Sequence, residues 1–159
     1  MSVRLAKFGD IPPLKLLAKE MHARSKYAAV ATMDDGALRN ILHSSINAAG
    51  KRAACFVSVG DDDIPTGFLV AVTDRVFGIA RELYASDVLF YVGISGRARD
   101  AGELLDTFLA WVDAHPGVIE TRLGVHDASG DDWERVGALY ERKGLVRNGA
   151  MYVKRRAEA

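Results

Sequence analysis

Residues 85–112 hold the groups best placed to do chemistry. The loop Gly93-Ile94-Ser95-Gly96-Arg97-Ala98-Arg99-Asp100-Ala101-Gly102 leads into an apolar helical stripe. A glycine-bearing loop feeding a helix N-terminus can hold phosphate on its backbone N–H groups. The plainer reading is that the glycines let the chain bend. Just before the loop, Asp87 alone interrupts the apolar run 85–92. A carboxylate desolvated on a strand has its pKa raised and can take a proton near neutral pH, although a hydrogen-bonded structural acid is the competing reading. The lone Cys55 lies in Ala53-Ala54-Cys55-Phe56-Val57-Ser58-Val59, where a small buried side chain is expected rather than a nucleophile. One cysteine excludes a disulfide framework and a cysteine metal site. The histidines His22, His43 and His126 show no metal-ligand spacing.

These groups need elements to hold them, and the hydrophobic pattern supplies an order. Residues 2–7 alternate as a half-buried strand. Gly9-Asp10-Ile11-Pro12-Pro13 starts a helix with Asp10 as capping acceptor, and Leu14, Leu17, Ala18 and Met21 form its stripe. Thr32 three residues before Asp35 resembles a capping box; Leu38, Ile41, Leu42 and Ile46 follow, and Gly50 stops the helix. Residues 53–59 and 68–73 form a hairpin across an acidic, solvated turn. Residues 74–84 read as loop. The strand 85–92 sets Asp87, Leu89 and Tyr91 against Val88, Phe90 and Val92. Ala101, Leu104, Leu105, Phe108 and Val112 make the next helical stripe, followed by a strand over 118–125. Asp131 and Glu134 offer a capping box for a last helix carrying Trp133, Val136, Gly137 and Tyr140 and ending at Gly144. Asn148-Gly149 then centres a closing two-strand hairpin over residues 145–153. Trp111 and Trp133 are most simply core and interface aromatics.

The order is strand, helix, helix, three strands, helix, strand, helix, two strands, in one domain over residues 1–159. It resembles the GNAT superfamily of N-acetyltransferases, particularly short phage-type chains of that kind. Two motifs carry the resemblance. Leu139-Tyr140-Glu141-Arg142-Lys143-Gly144-Leu145 matches the family's Tyr-Glu-x-x-Gly-Phe-like run, with Leu at the end. The loop matches Arg/Gln-x-x-Gly-x-Gly/Ala in a degenerate form. A frame beginning at Arg97 keeps Ala101, Leu104, Leu105 and Phe108 on the buried stripe, whereas one beginning at Arg99 brings Glu103 and Asp106 to buried positions. The Arg97 frame is adopted, and it puts Asp100 where the family has glycine.

The resemblance implies an α/β (α+β) fold with a central mixed, mostly antiparallel sheet and helices on both faces. It implies an acetyl-CoA-dependent N-acyltransferase acting on a small-molecule or protein amine. Tyr91, Val92, Arg97, Ala98, Arg99, Asp100, Ala101 and Gly102 would hold acetyl-CoA as co-substrate. Tyr140 would be the general acid, with a core-closing aromatic as the alternative role, and Asp87 would be the base. His126, an exposed loop histidine on the plainer reading, is a second base candidate; His22 and His43 would line the acceptor side. Asp100 and Glu103 are spaced as a helix cap and its third residue, and would compete with pyrophosphate for the same N–H groups. That feature supports the alternative of a catalytically inactive GNAT-fold structural or partner-binding protein, within a phage or other larger assembly.

Composition bounds both readings. The 159 residues are 49% apolar and 26% charged, as in a globular domain. Twenty-one Lys and Arg balance twenty-one Asp and Glu, so no global field draws nucleic acid or an anionic membrane. No apolar run nears the ~20 residues of a membrane span. A cytoplasmic protein is expected, virion-associated if phage-encoded, with a homodimer or an assembly partner as the protein contacts.

Overall fold

The computed structural model describes residues 3–48, 51–125 and 133–154. The described residues form a five-stranded sheet and four α-helices. The strands are β1 (Val3–Leu5), β2 (Ala53–Val59), β3 (Pro65–Arg75), β4 (Leu83–Val92) and β5 (Val118–Arg122). They lie in sequence order across the sheet. The first four pair antiparallel and β5 joins β4 in parallel. The helices are α1 (Ile11–Arg24), α2 (Asp35–Asn47), α3 (Asp100–Asp113) and α4 (Trp133–Arg142).

Apolar periodicity decides which helix covers which face. Leu14, Leu17 and Ala18 of α1 and Leu38, Leu42 and Ile46 of α2 pack on Cys55, Val57, Phe68 and Val70. Leu104, Leu105, Phe108 and Val112 of α3, with Tyr140 of α4, pack on Ala54, Phe56, Leu69, Ala71 and Ala85. Both faces of β2 and β3 are therefore buried, which explains their near-continuous apolar runs. Cys55 is 1% exposed, and burial pushes its thiol up to about 12, so it is a packing residue.

Several local expectations are corrected. Asp10 does not cap α1; its carboxylate takes the Lys7 N–H at 2.7 Å and two Arg4 guanidinium N–H groups at 2.7 and 3.1 Å. The N-cap of α2 is Asp34, accepting from Ala37 N–H at 2.9 Å, rather than Thr32. The acidic turn is not simply solvated, because Asp63 accepts from Arg4 Nε at 2.9 Å. The closing hairpin does not form: residues 145–154 contain no strand. Val146, Met151, Tyr152 and Val153 stay exposed, so the Asn148-Gly149 turn signal lacks the apolar burial that two strands need. Seven strands were expected and five are found among the described residues. The capping box at Asp131 begins outside the described residues.

The largest correction concerns the alternation in β4. Val70 faces Leu89 but Ala71 faces Asp87, leaving Val88 as an extra residue, a β-bulge. A bulge reverses the side-chain alternation across it. Leu89 and Tyr91 therefore pack on the α1/α2 face, while Phe90 and Val92 join the α3/α4 face. Asp87 shares the parity of Ala85 and lies on the α3/α4 side, opposite to Leu89 and Tyr91. Sequence alternation alone would have placed all three together.

Candidate active site

Pairing between β4 and β5 runs from Leu83↔Val118 to Ser86↔Arg122 and stops there. β4 continues to Val92 while the chain after Arg122 leaves strand geometry. The sheet thus opens at Asp87. The Gly124 N–H points at Asp87 Oδ1 across 3.4 Å, at the long limit for a hydrogen bond. Around the opening stand Asp87 at its apex, Tyr140 of α4, and the loop that feeds α3.

Tyr140 is held by the end of its own helix. Gly144 adopts φ +87°, a left-handed conformation open to glycine, and turns the chain so that Leu145 N–H reaches Tyr140 C=O at 3.1 Å. The Tyr-Glu-x-x-Gly run is therefore a helix stop that fixes the tyrosine one turn earlier. Tyr140 is 6% exposed, and its phenol is held well above its usual pKa by burial and then by the charge of Asp87. It stays protonated at neutral pH. The structure brings Asp87 and Tyr140 to one face, as a site using both would need.

The loop is built differently from expectation. Asp100 is the first residue of α3 rather than its cap, and it is fully buried. Its carboxylate accepts from Thr66 Oγ1 at 3.0 Å, Arg97 N–H at 3.0 Å and Arg97 Nε at 3.1 Å. Arg97 Nη2 donates to Val59 C=O at 2.8 Å. Burial would raise the Asp100 pKa, but Arg97 N–H, the Thr66 hydroxyl and the Arg97 guanidinium outweigh it and hold the carboxyl below its usual range. Asp100 and Arg97 together latch the loop to β2 and β3. Glu103 does not complete a capping box; it pairs with Arg99 at 3.3 Å.

What remains for an anion is backbone. Ala101 and Gly102, the second and third residues of α3, have N–H groups with no carbonyl a turn earlier inside the helix. Arg99, at the N-cap, gives them no side-chain acceptor. A Cβ on Gly102 would meet nothing within 4 Å, so the helix end is open to close approach. Ala98 and Arg99 are exposed beside it. These groups fit the pyrophosphate of a CoA thioester; the Arg97 guanidinium is turned inward, onto Asp100 and the Val59 carbonyl.

The other candidates separate. Val92 lies under the loop, with its Cγ1 2.3 Å from where a Cβ on Gly96 would sit. The Tyr91 side chain turns to α1, donating to Glu20 Oε1 at 2.7 Å and accepting from Arg24 Nη1 at 3.2 Å. The His43 ring lies tilted against Phe8, with centroids 4.8 Å apart. His22 has a buried Nε2 with no partner among the described residues. His126 lies outside the described residues. Thr66 and Glu20 were missed, since each reaches the loop from a distant segment and neither sits in a readable motif.

The two loop glycines differ in what they permit. A Cβ on Gly96 would also lie 3.0 Å from Gly93 C=O and 3.2 Å from Thr66 C=O. Gly96→Ala is therefore expected to cost about 1–3 kcal/mol, whereas Gly102→Ala stabilises the helix by about 0.5–1 kcal/mol. Urea unfolding of the two variants checks this opposition in sign.

A second expectation is acid lability. Asp10 and Asp100 both have folded pKa values lowered from 3.8. Their stabilisation is present above 3.8 and is lost as pH falls through the lower folded values. Unfolding free energy should drop between pH 5 and 3 by less in Asp100→Asn than in the parent chain. An equal drop would remove Asp100 from the acid response.

The fold is shared with solved structures of acetyltransferases. Comparison of the sequence with family models and with characterised proteins finds no match. Solved structures share the architecture at low identity. A ribosomal-protein-alanine N-acetyltransferase from Brucella melitensis biovar Abortus superposes with a TM-score of 0.68 and 16% identity, covering 98% of this chain and 100% of that one. AAC(6')-Iy, in complex with a CoA-linked bisubstrate analogue of acetylneamine, gives 0.70 and 16%, covering 98% and 97%. An aminoglycoside acetyltransferase from an uncultured soil metagenomic sample gives 0.67 and 16%, again covering 98% and 97%. Among the described residues no helix is long and apolar enough to cross a membrane.

Proposed function

We propose that the chain is an acyltransferase that moves an acetyl group from acetyl-CoA to an amine. The observation that carries this reading is the opening of β4 from β5 at Asp87, flanked by the buried, protonated Tyr140 and by the open N-terminus of α3. Fold likeness to acetyltransferases, one of them holding a CoA-linked analogue, supports the same class.

Ala98, Arg99, Ala101 and Gly102 would hold the CoA pyrophosphate through backbone N–H groups. Acetyl-CoA supplies an activated thioester carbonyl. Tyr140 holds a proton at its phenolic oxygen, next to the strand opening, where a departing thiolate would require one. Asp87 holds a carboxylate at the apex, where the proton leaving the amine can be taken directly or through water. Burial and the charge of Asp87 keep Tyr140 protonated, the state that its role requires.

Release of free thiol from acetyl-CoA, followed across polyamines, aminoglycosides and peptide α-amines, tests the proposal. Amine-dependent release is expected with at least one class; acetyl-CoA binding without release on any of them would contradict transfer. Asp87→Asn keeps the shape and removes the charge. It is expected to lower the rate about ten- to a hundredfold and to alter the limb of the pH–rate profile that rises toward alkaline pH. An unchanged profile would leave His126 or water as the base.

A further inference from the structure

Glu20 lies on α1, 74 residues from Ile94, yet its carboxylate ends against the turn that precedes the loop. One oxygen, Oε1, accepts both the Tyr91 hydroxyl at 2.7 Å and the Ile94 N–H at 2.9 Å. The turn itself is tight. Gly93 N–H donates to Thr66 C=O and Gly96 N–H to Gly93 C=O, each at 2.9 Å. A Cβ on Gly93 would lie 2.6 Å from Leu17 Cδ2 and 3.4 Å from Glu20 Oε1, so the turn is pressed onto α1. Thr66 holds both ends of the segment, through its carbonyl to Gly93 and its hydroxyl to Asp100. Ile94, between them, is fixed from outside the sheet by Glu20.

We propose that Glu20 is a positioning residue: by accepting the Ile94 N–H it sets the 93–96 turn and, through it, the amides of 98–102 that would hold the CoA pyrophosphate. This rests on the acyltransferase reading for its ligand, and on the hydrogen bonds alone for the positioning. The same contacts join the loop to α1, because Arg24, at the end of that helix, donates to the hydroxyl that Glu20 accepts. The loop and the helix from which segment 25–34 departs therefore share one hydrogen-bond chain, Arg24–Tyr91–Glu20–Ile94.

Charge and position make opposite demands on Glu20, which gives the test its leverage. A carboxylate near the loop repels a phosphate, so a purely electrostatic effect would tighten CoA binding in any uncharged variant. A positioning effect is lost only when the acceptor oxygen is lost. Glu20→Gln keeps a carbonyl oxygen for Ile94 and Tyr91; Glu20→Ala keeps none. Calorimetric titration with CoA is expected to show Glu20→Gln at or tighter than the parent affinity and Glu20→Ala about tenfold weaker. Glu20→Ala binding as tightly as the parent, or more tightly, overturns the proposal.

Amide hydrogen exchange in the unliganded chain separates this inference from the functional reading. Faster exchange at Ile94 and Gly96 in Glu20→Ala, restored in Glu20→Gln, is the expected pattern whether or not CoA binds. Unchanged protection overturns the positioning role even if the parent binds CoA. Should Glu20→Ala not fold, Tyr91→Phe removes one of the two hydrogen bonds to Oε1 and keeps the ring. A smaller rise in exchange at Ile94 is then expected, and no rise counts against the proposal.

Discussion

Tyr140→Phe is expected to slow acetyl transfer by about a hundredfold or more while leaving CoA affinity within about twofold of the parent. The variant keeps the buried ring that packs from α4 into the core and removes the one proton that burial and Asp87 hold on the phenol. A ring whose only role is to close the core would give a different result. Losing its hydroxyl would shift stability by roughly 1 kcal/mol and leave turnover unchanged. Turnover and melting temperature measured on the same preparation distinguish the two. An unchanged rate would make Tyr140 a packing residue and would leave the thiolate to be protonated by water.

The second large effect concerns Asp100, whose carboxylate takes the Arg97 N–H and turns the Arg97 side chain inward. Asp100→Gly removes a negative charge next to the helix N-terminus, frees that N–H and releases a guanidinium that can swing toward an anion. Taking the carboxylate as ~6–8 Å from a bound phosphate at an effective dielectric of roughly 20–40, the repulsion costs on the order of 1–3 kcal/mol. Its removal should tighten CoA binding about ten- to a hundredfold. The stability effect has the opposite sign. Asp100 is fully buried and accepts three hydrogen bonds, two of them from Arg97, so its loss should cost about 2–4 kcal/mol. The Arg97 side chain, 37% exposed, can return to water, which limits that loss. Tighter binding with a lower melting point is therefore the expected pair of results. A lower melting point with no gain in affinity would make Asp100 a structural latch with no influence on the site.

The sequence disclosed what depends on neighbours along the chain. The four helices follow from stripes such as Leu104, Leu105, Phe108 and Val112. The helix stop at Gly144 follows from a motif whose glycine must take a positive φ. What stayed hidden depends on partners far away. The bulge at Val88 arises from register against β3, and no property of residues 85–92 announces it. It separates Asp87 from Tyr91, which plain alternation puts on one face. Asp100 and Glu103 matched a capping box in spacing, but the carboxylate of Asp100 finds a better set of donors in Arg97 and Thr66. Glu20 reads as an ordinary helix residue until α1 is laid across the end of β4. The Asn148-Gly149 pair is a strong local turn signal, but no apolar face beside it gives strands a reason to form.

Acetyl transfer by this chain requires that the loop from Arg97 to Gly102 take a CoA thioester despite the Asp100 latch. Calorimetric titration of the unmodified chain with acetyl-CoA asks this directly. Saturable one-to-one binding is predicted, with a Kd from tens of micromolar to about a millimolar, weakened by the internal carboxylate and competed by free CoA. No measurable heat with acetyl-CoA at several millimolar, from a chain shown to be folded in the same cell, would contradict the account.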